Sequence, residues 1–171
     1  VDRLANLLGA AATAIHDAHL AAAAGAEGLT PAAAAVILTL GQHEGQSVKT
    51  LARIAGLTHS ATVRLLDGLA DRGLVARGAG RDGREVAVAL TEAGREIYGR
   101  LRAAQAGVLV PLLAPLPPAD RQALERALAQ VLTALTKGRQ SADHICRFCD
   151  EDACDPARCP VERQALALGR P

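Results

Sequence analysis

Leu4, Leu7, Leu8, Ala11, Ala12, Ile15 and His19 recur at three- and four-residue steps, which predicts an amphipathic helix from the first residues to about Ala24. "GAEGLTP" closes it: Gly25 and Gly28 stop the helix, and Thr30 with Pro31 caps and opens the next. That second helix, "AAAAVILTLGQH", runs apolar until Gly41 and His43. "GQSVKTLARIAGLTHSATVRLLDGLADRGLV" then carries two short helices, Val48 to Ala55 capped by Ser47 and His59 to Asp71 capped by Thr58, with Gly56-Leu57 as the turn between them.

After Gly73 the period changes. "LVARGAGRDGREVAVALT" alternates apolar and polar residues on both sides of a turn built from Gly78, Gly80, Asp82 and Gly83, the pattern of two short strands and a hairpin loop. Thr91-Glu92 starts another helix, expected to bend near Gly107 or Pro111 and to end by Pro115 and Pro117. Pro118 and Asp120 open a last long helix with a stripe of Leu124, Leu128, Val131 and Leu135, which Gly138 is expected to end. Between 137 and 141 the periodicity stops and acidic, cysteine-bearing chain begins.

The pattern divides the chain into an N-terminal helix (1–28), a helix-turn-helix with hairpin (29–100), C-terminal helices (101–140) and a cysteine-rich tail (141–171). The expected fold is mainly α: a winged helix-turn-helix flanked by long N- and C-terminal helices. Composition agrees. Half of the 171 residues are hydrophobic, yet Tyr98 and Phe148 are the only aromatics, and a core of Ala, Leu and Val favours closely packed helices.

A formal net charge of +1 is too balanced to announce a nucleic-acid partner, but its distribution is informative. From Lys49 to Arg100 basic residues outnumber acidic ones, whereas Asp143, Asp150, Glu151, Asp152, Asp155 and Glu162 surround the cysteines against only Arg147 and Arg158. No stretch approaches the about 20 continuous apolar residues that would span a bilayer. The start lacks the basic and apolar order of a signal peptide, so a cytoplasmic protein without a membrane partner is expected. Paired carboxylates, a nucleophile–base set and a phosphate-cradling loop are not found in a suitable context, and no enzyme is expected.

A helix-turn-helix followed by a β-hairpin suits duplex DNA: a helix fits the major groove and aims short polar side chains at base edges, while an arginine-tipped hairpin reaches the minor groove or the phosphates. The candidate contacts are Ser47 and Lys49 at the first short helix, Thr58, His59, Ser60, Thr62 and Arg64 at the second, and Arg81, Asp82 and Arg84 at the hairpin tip. Arg64 is the best candidate for a guanine or phosphate contact. The Asp82 carboxylate, which phosphate would repel, is expected to brace an arginine.

"LTPAAAAVILTL", "SVKTLARIAGLTHSATVRLLDGLADRGLVAR" and the wing "GRDGREVAVALTEAG" make the chain resemble the MarR-type multiple-antibiotic-resistance regulators over about residues 4 to 138. The wing-to-helix passage is the most specific part, with "LADRGLVAR", "RDGR" and "VALTEAG" in the family's order. Where the family often has Asp-Arg-Arg at the tip, this chain reads Arg81-Asp82-Gly83-Arg84, which places that role at Arg84 more firmly than at Arg81. The resemblance implies a homodimeric transcription regulator, a repressor, on a pseudo-palindromic double-stranded operator, with its first and last helices forming the dimer interface. It also implies a small-molecule effector in a crevice between the dimerisation and DNA-binding regions, for which His16, His19 and His43 are candidate lining residues.

The tail stands outside that pattern. Its spacing, Cys146-x2-Cys149-x4-Cys154-x4-Cys159, supplies the four soft donors that tetrahedral Zn²⁺ takes and equals that of the zinc knuckle with Cys154 in the histidine's place. Structural zinc is the leading expectation. An iron–sulfur cluster, suggested by Cys159-Pro160, and a metal-free thiol switch that controls DNA binding remain alternatives.

Overall fold

Thr30 caps α2 (Pro31–Gln42), its hydroxyl accepting from the Ala33 amide at 3.2 Å, and from Ala33 to Leu40 every residue of this helix is buried. An all-round apolar helix has to be enclosed on every side, and α2 accordingly forms the axis of the main core. Val36, Ile37, Leu38 and Leu40 meet Leu51 of α3 (Val48–Ala55), Leu66 and Leu69 of α4 (His59–Asp71), Leu74, Val75, Val88 and Leu90 of the sheet, and Ile97 and Leu101 of α5 (Glu92–Leu113). The computed structural model describes residues 2–79 and 86–169, with no side-chain detail at 23–26 and 79.

Among the described residues eight helices accompany one three-stranded antiparallel sheet of order β1-β3-β2, with β1 (Gln46–Ser47), β2 (Val75–Ala79) and β3 (Val86–Leu90). The register pairs Val75 with Leu90, Arg77 with Val88 and Gln46 with Val88. The mainly α winged helix-turn-helix is thus the observed fold. α1 (Arg3–Glu27) packs along α5 and runs past its expected end, through Gly25. A single helical glycine costs only about 1 kcal/mol, and the last turn is tied down by Arg72, which donates to the Glu27 carbonyl at 2.9 Å, and by the Arg100–Glu27 ion pair. Gly28, at φ 59, then makes the left-handed stop.

The junction between sheet and α5 is built on Thr91. Its hydroxyl donates to the Gly73 carbonyl at 2.6 Å and accepts from the Gly94 amide at 3.1 Å, and its own amide donates to the Leu74 carbonyl at 3.1 Å. This brings Leu74 so close that a methyl group on Gly94 would overlap the Leu74 carbonyl oxygen. A similar approach occurs at Gly41, where the ring of Tyr98 lies in the space a side chain on α2 would need. α5 continues through both Gly107 and Pro111 to Leu113.

α6 (Pro118–Leu135) buries none of its residues, and Leu124, Leu128 and Leu135 of its stripe are exposed. It ends before Gly138, which instead starts a further helix, α7 (Arg139–Cys146); α8 (Pro160–Leu168) follows. Neither was expected from periodicity, and the expected start of the tail at 141 falls inside α7. α7 lies on α3, and α8 packs on α6 and α7 around a small core of Ala142, Val161 and Ala165.

Candidate nucleic-acid interface and the cysteine cleft

The helix-turn-helix is set by two caps and one glycine. Ser47 Oγ accepts from the Thr50 amide at 3.3 Å, Thr58 Oγ1 accepts from the Ala61 amide at 3.2 Å, and Gly56 turns the chain between α3 and α4 at φ 70. α4 then divides by face. Leu66 and Leu69 enter the core, while Thr58, His59, Ser60 and Arg64 are exposed at its N-terminal half. Lys49 is exposed on α3 and Ser47 is half-buried. Thr62 corrects the expected set: it lies one turn from Leu66 on the inward face, fully buried, and its hydroxyl donates to the Thr58 carbonyl at 2.9 Å, so it presents nothing to a groove.

Arg81, Asp82 and Arg84 lie outside the described residues. At the base of the wing, Arg77 of β2 pairs with Asp67 of α4 at 2.8 Å, which braces the strand against the reading helix. Composition alone made Arg77 one basic residue among many; the strand register is what points it at α4.

The cysteine tail is docked on this unit by polar contacts. Asp143 pairs with Arg53 of α3, and His144 Nδ1 donates to the Ile54 carbonyl at 3.0 Å. Gln42, at the end of α2, donates to the Cys149 carbonyl at 3.2 Å and accepts from the Glu151 amide at 2.7 Å. Glu151 also reaches His43 Nε2 at 2.8 Å. From α5, Arg102 donates to the Cys149 carbonyl at 3.0 Å and pairs with Asp150, and Gln105 donates to the Phe148 carbonyl at 3.3 Å. Phe148 itself packs against the main core.

Between tail, α2 and α3 lies a cleft of about 410 Å³ whose walls include Thr39, Gln42, His43, Thr50 and Arg53 together with all four cysteines. Cys146 ends α7, Cys149 donates its amide to the Cys146 carbonyl at 2.8 Å, Cys159 precedes α8, and Cys154 is exposed on the loop. All four are free thiols. The Cys146 thiol hydrogen-bonds the Cys149 sulfur, which draws Cys149 down to about 7 and pushes Cys146 up, burial adding to that rise. Among the described residues no group of three or more His, Cys, Asp or Glu side chains is already arranged to hold a metal ion. Of the three candidate histidines, His43 lines the cleft, His16 is exposed on α1, and His19 is half-buried with Nε2 unpartnered, its pKa lowered by burial and by His16.

A helix-turn-helix with a polar reading face, followed by an antiparallel strand pair and carried on long helices, defines a winged-helix DNA-binding protein. The MarR family model matches residues 27–85. A MarR family transcriptional regulator from Silicibacter pomeroyi is 30% identical, with 79% of this chain and 92% of that one covered at a TM-score of 0.61. Rv2887 of Mycobacterium tuberculosis, a MarR family protein solved in complex with p-aminosalicylic acid, is 29% identical over 76% of this chain and 98% of its own, with a TM-score of 0.57. MepR, a regulator of a multidrug efflux pump in Staphylococcus aureus, shares the fold at 16% identity, covering 77% of this chain and 97% of that one with a TM-score of 0.66. Among curated proteins no sequence matches. The chain belongs to the MarR family and is a DNA-binding transcription regulator. Among the described residues no helix is long and apolar enough to cross a membrane.

Proposed function

We propose that the chain acts in the cytoplasm as a homodimeric, sequence-specific repressor that lays α4 in the major groove of a pseudo-palindromic operator and places its wing on the flanking backbone. The observation that carries this reading is the division of α4, with Leu66 and Leu69 seated in the core and Thr58, His59, Ser60 and Arg64 outward along its first turns. Dimerisation is supported by apolar surface at both ends of the chain: Leu4, Leu7 and Leu8 of α1, Leu112 of α5, and Leu124 and Leu128 of α6 are exposed in the single chain. Two reading helices in such a dimer address half-sites about 34 Å apart. Repression requires no more than occupation of the operator. A small-molecule effector is supported by the p-aminosalicylate complex of Rv2887.

The four cysteines are assigned to a metal site, with zinc as the leading ion. Their placement on one cleft supports this, because four soft donors satisfy Zn²⁺. Elemental analysis of anaerobically purified protein is expected to give one zinc per chain; a brown sample containing iron would replace zinc by an iron–sulfur cluster.

The DNA reading is tested by Arg64→Ala on a duplex selected from a random pool by the purified protein. Removing a base contact is expected to weaken binding to the selected duplex by about 10- to 100-fold, and binding to random duplex far less. Equal losses on both would make Arg64 a phosphate contact. Unchanged affinity on both would overturn the placement of α4.

A further inference from the structure

The four thiols are shared between two differently anchored pieces of the tail. Cys146 and Cys149 belong to a piece fixed to the DNA-binding unit: α7 holds α3 through Asp143–Arg53 and His144–Ile54, and residues 149–151 are pinned to Gln42 at the end of α2, to His43 just after it and to Arg102 of α5. Gly56, the turn glycine of the helix-turn-helix, leaves room for the His144 ring, since a Cβ there would stand 3.1 Å from its Cε1. Cys159 belongs to the other piece, immediately before α8, which packs on α6, and Cys154 lies on the exposed loop that joins the two. The pieces already meet in the core of Ala142, Val161 and Ala165 and where Arg139 donates to both carboxylate oxygens of Glu162 at 2.8 Å. A further tie at the thiols would fix the angle between them.

We infer that the cleft is a soft-metal site whose loading sets α3 relative to α6, so that metal occupancy regulates DNA binding by this chain. This rests on the assignment of the four cysteines to a metal. Among the described residues the thiols line one cleft without being arranged to hold an ion, so loading has to draw the sulfurs together. A ligand shifts a conformational equilibrium through such a difference between states. Each cysteine binds as thiolate, so Zn²⁺ held by all four displaces to solvent whatever protons the sulfurs still carry. Metal loading fixes α7, and α3 with it, relative to α6 before DNA arrives, and a geometry fixed in advance costs less entropy on binding. The loaded form is therefore the tighter DNA binder.

The test uses the full-length chain, reduced and stripped with a chelator, then titrated with Co²⁺ as a spectroscopic probe and with Zn²⁺. Co²⁺ is expected to give the thiolate charge-transfer absorption of a tetrahedral site. Zn²⁺ is expected to slow amide hydrogen exchange across Val48–Ala55 and at Gln42 and His43, and to tighten binding to the selected duplex by about tenfold, a typical allosteric coupling. Asp143→Asn removes the tie to Arg53 without removing a thiol. It is expected to keep the Co²⁺ spectrum and to cut the effect of Zn²⁺ on DNA affinity to less than about threefold. His144→Ala, which loses the bond to Ile54, provides an independent second variant with the same expectation. A normal Co²⁺ spectrum with α3 exchange and DNA affinity unchanged, or with weaker DNA binding, overturns the regulatory inference and leaves a structural metal. Absence of any Co²⁺–thiolate band overturns the metal assignment itself.

Discussion

Gly94→Ala is expected to destabilise the chain by about 3 kcal/mol, near the upper end of what overpacking typically costs. For a chain of this size that lowers the melting temperature by roughly 6–12 °C. On an exposed helix the same change would stabilise by up to about 1 kcal/mol, because alanine is the better helix former. Here the new methyl overlaps the Leu74 carbonyl oxygen, which is backbone and already accepts the Thr91 amide. The methyl has no flexible side chain to push aside. Relief requires the first turn of α5 to slide off the end of β2, breaking the Thr91 bonds to Gly73 and Leu74 that fix the wing to the scaffold. Urea denaturation measures the loss, and a variant as stable as the parent would show that α5 and β2 do not meet this closely.

Leu66→Ala is expected to cost about 3 kcal/mol, within the 2–5 kcal/mol seen when a fully buried leucine leaves a cavity. A typical domain holds only about 5–15 kcal/mol in reserve, so a large part of this one's stability is at stake. The comparison with Arg64, two positions earlier and exposed, gives the prediction its content. Arg64→Ala should leave stability within about 0.5 kcal/mol while weakening operator binding. Leu66→Ala should lower stability and, where the protein is still folded, keep the sequence preference because the reading face is untouched. Equilibrium unfolding paired with binding to selected and random duplex separates the two effects. If Leu66→Ala altered sequence preference at full stability, the inward and outward faces of α4 would be wrongly assigned.

Much of the DNA-binding half was legible in the sequence because short-range rules govern it. Thr30, Ser47 and Thr58 are readable as caps and Thr91 as the start of a helix, and each accepts from the amide three residues on. Thr62 is polar but keeps the period of the inward face, on one row with the buried Leu66 and Leu69. β1 is two residues long and offers no alternation to detect.

The tail was less legible for a different reason. Its core consists of Ala142, Val161 and Ala165, too few apolar positions to mark a face, and its two helices flank a run of turns. Gly138 looks like a helix stop in the sequence but precedes α7, and Pro160, which beside Cys159 resembles a cluster-loop ending, occupies the first turn of α8, where proline's missing N–H costs nothing. Docking of the tail depends on partners such as Gln42 and Glu151 that lie 109 positions apart, a distance over which a single sequence carries no pairing signal.

The close seating of Tyr98 on Gly41 makes the joint between α2 and α5 observable without a label. The chain has one tyrosine and no tryptophan, so its tyrosine emission comes from this single ring. The next residue along α2, Gln42, holds the tail. A shift of α2 against α5 on DNA, effector or metal binding would therefore register in one fluorophore whose address is already known.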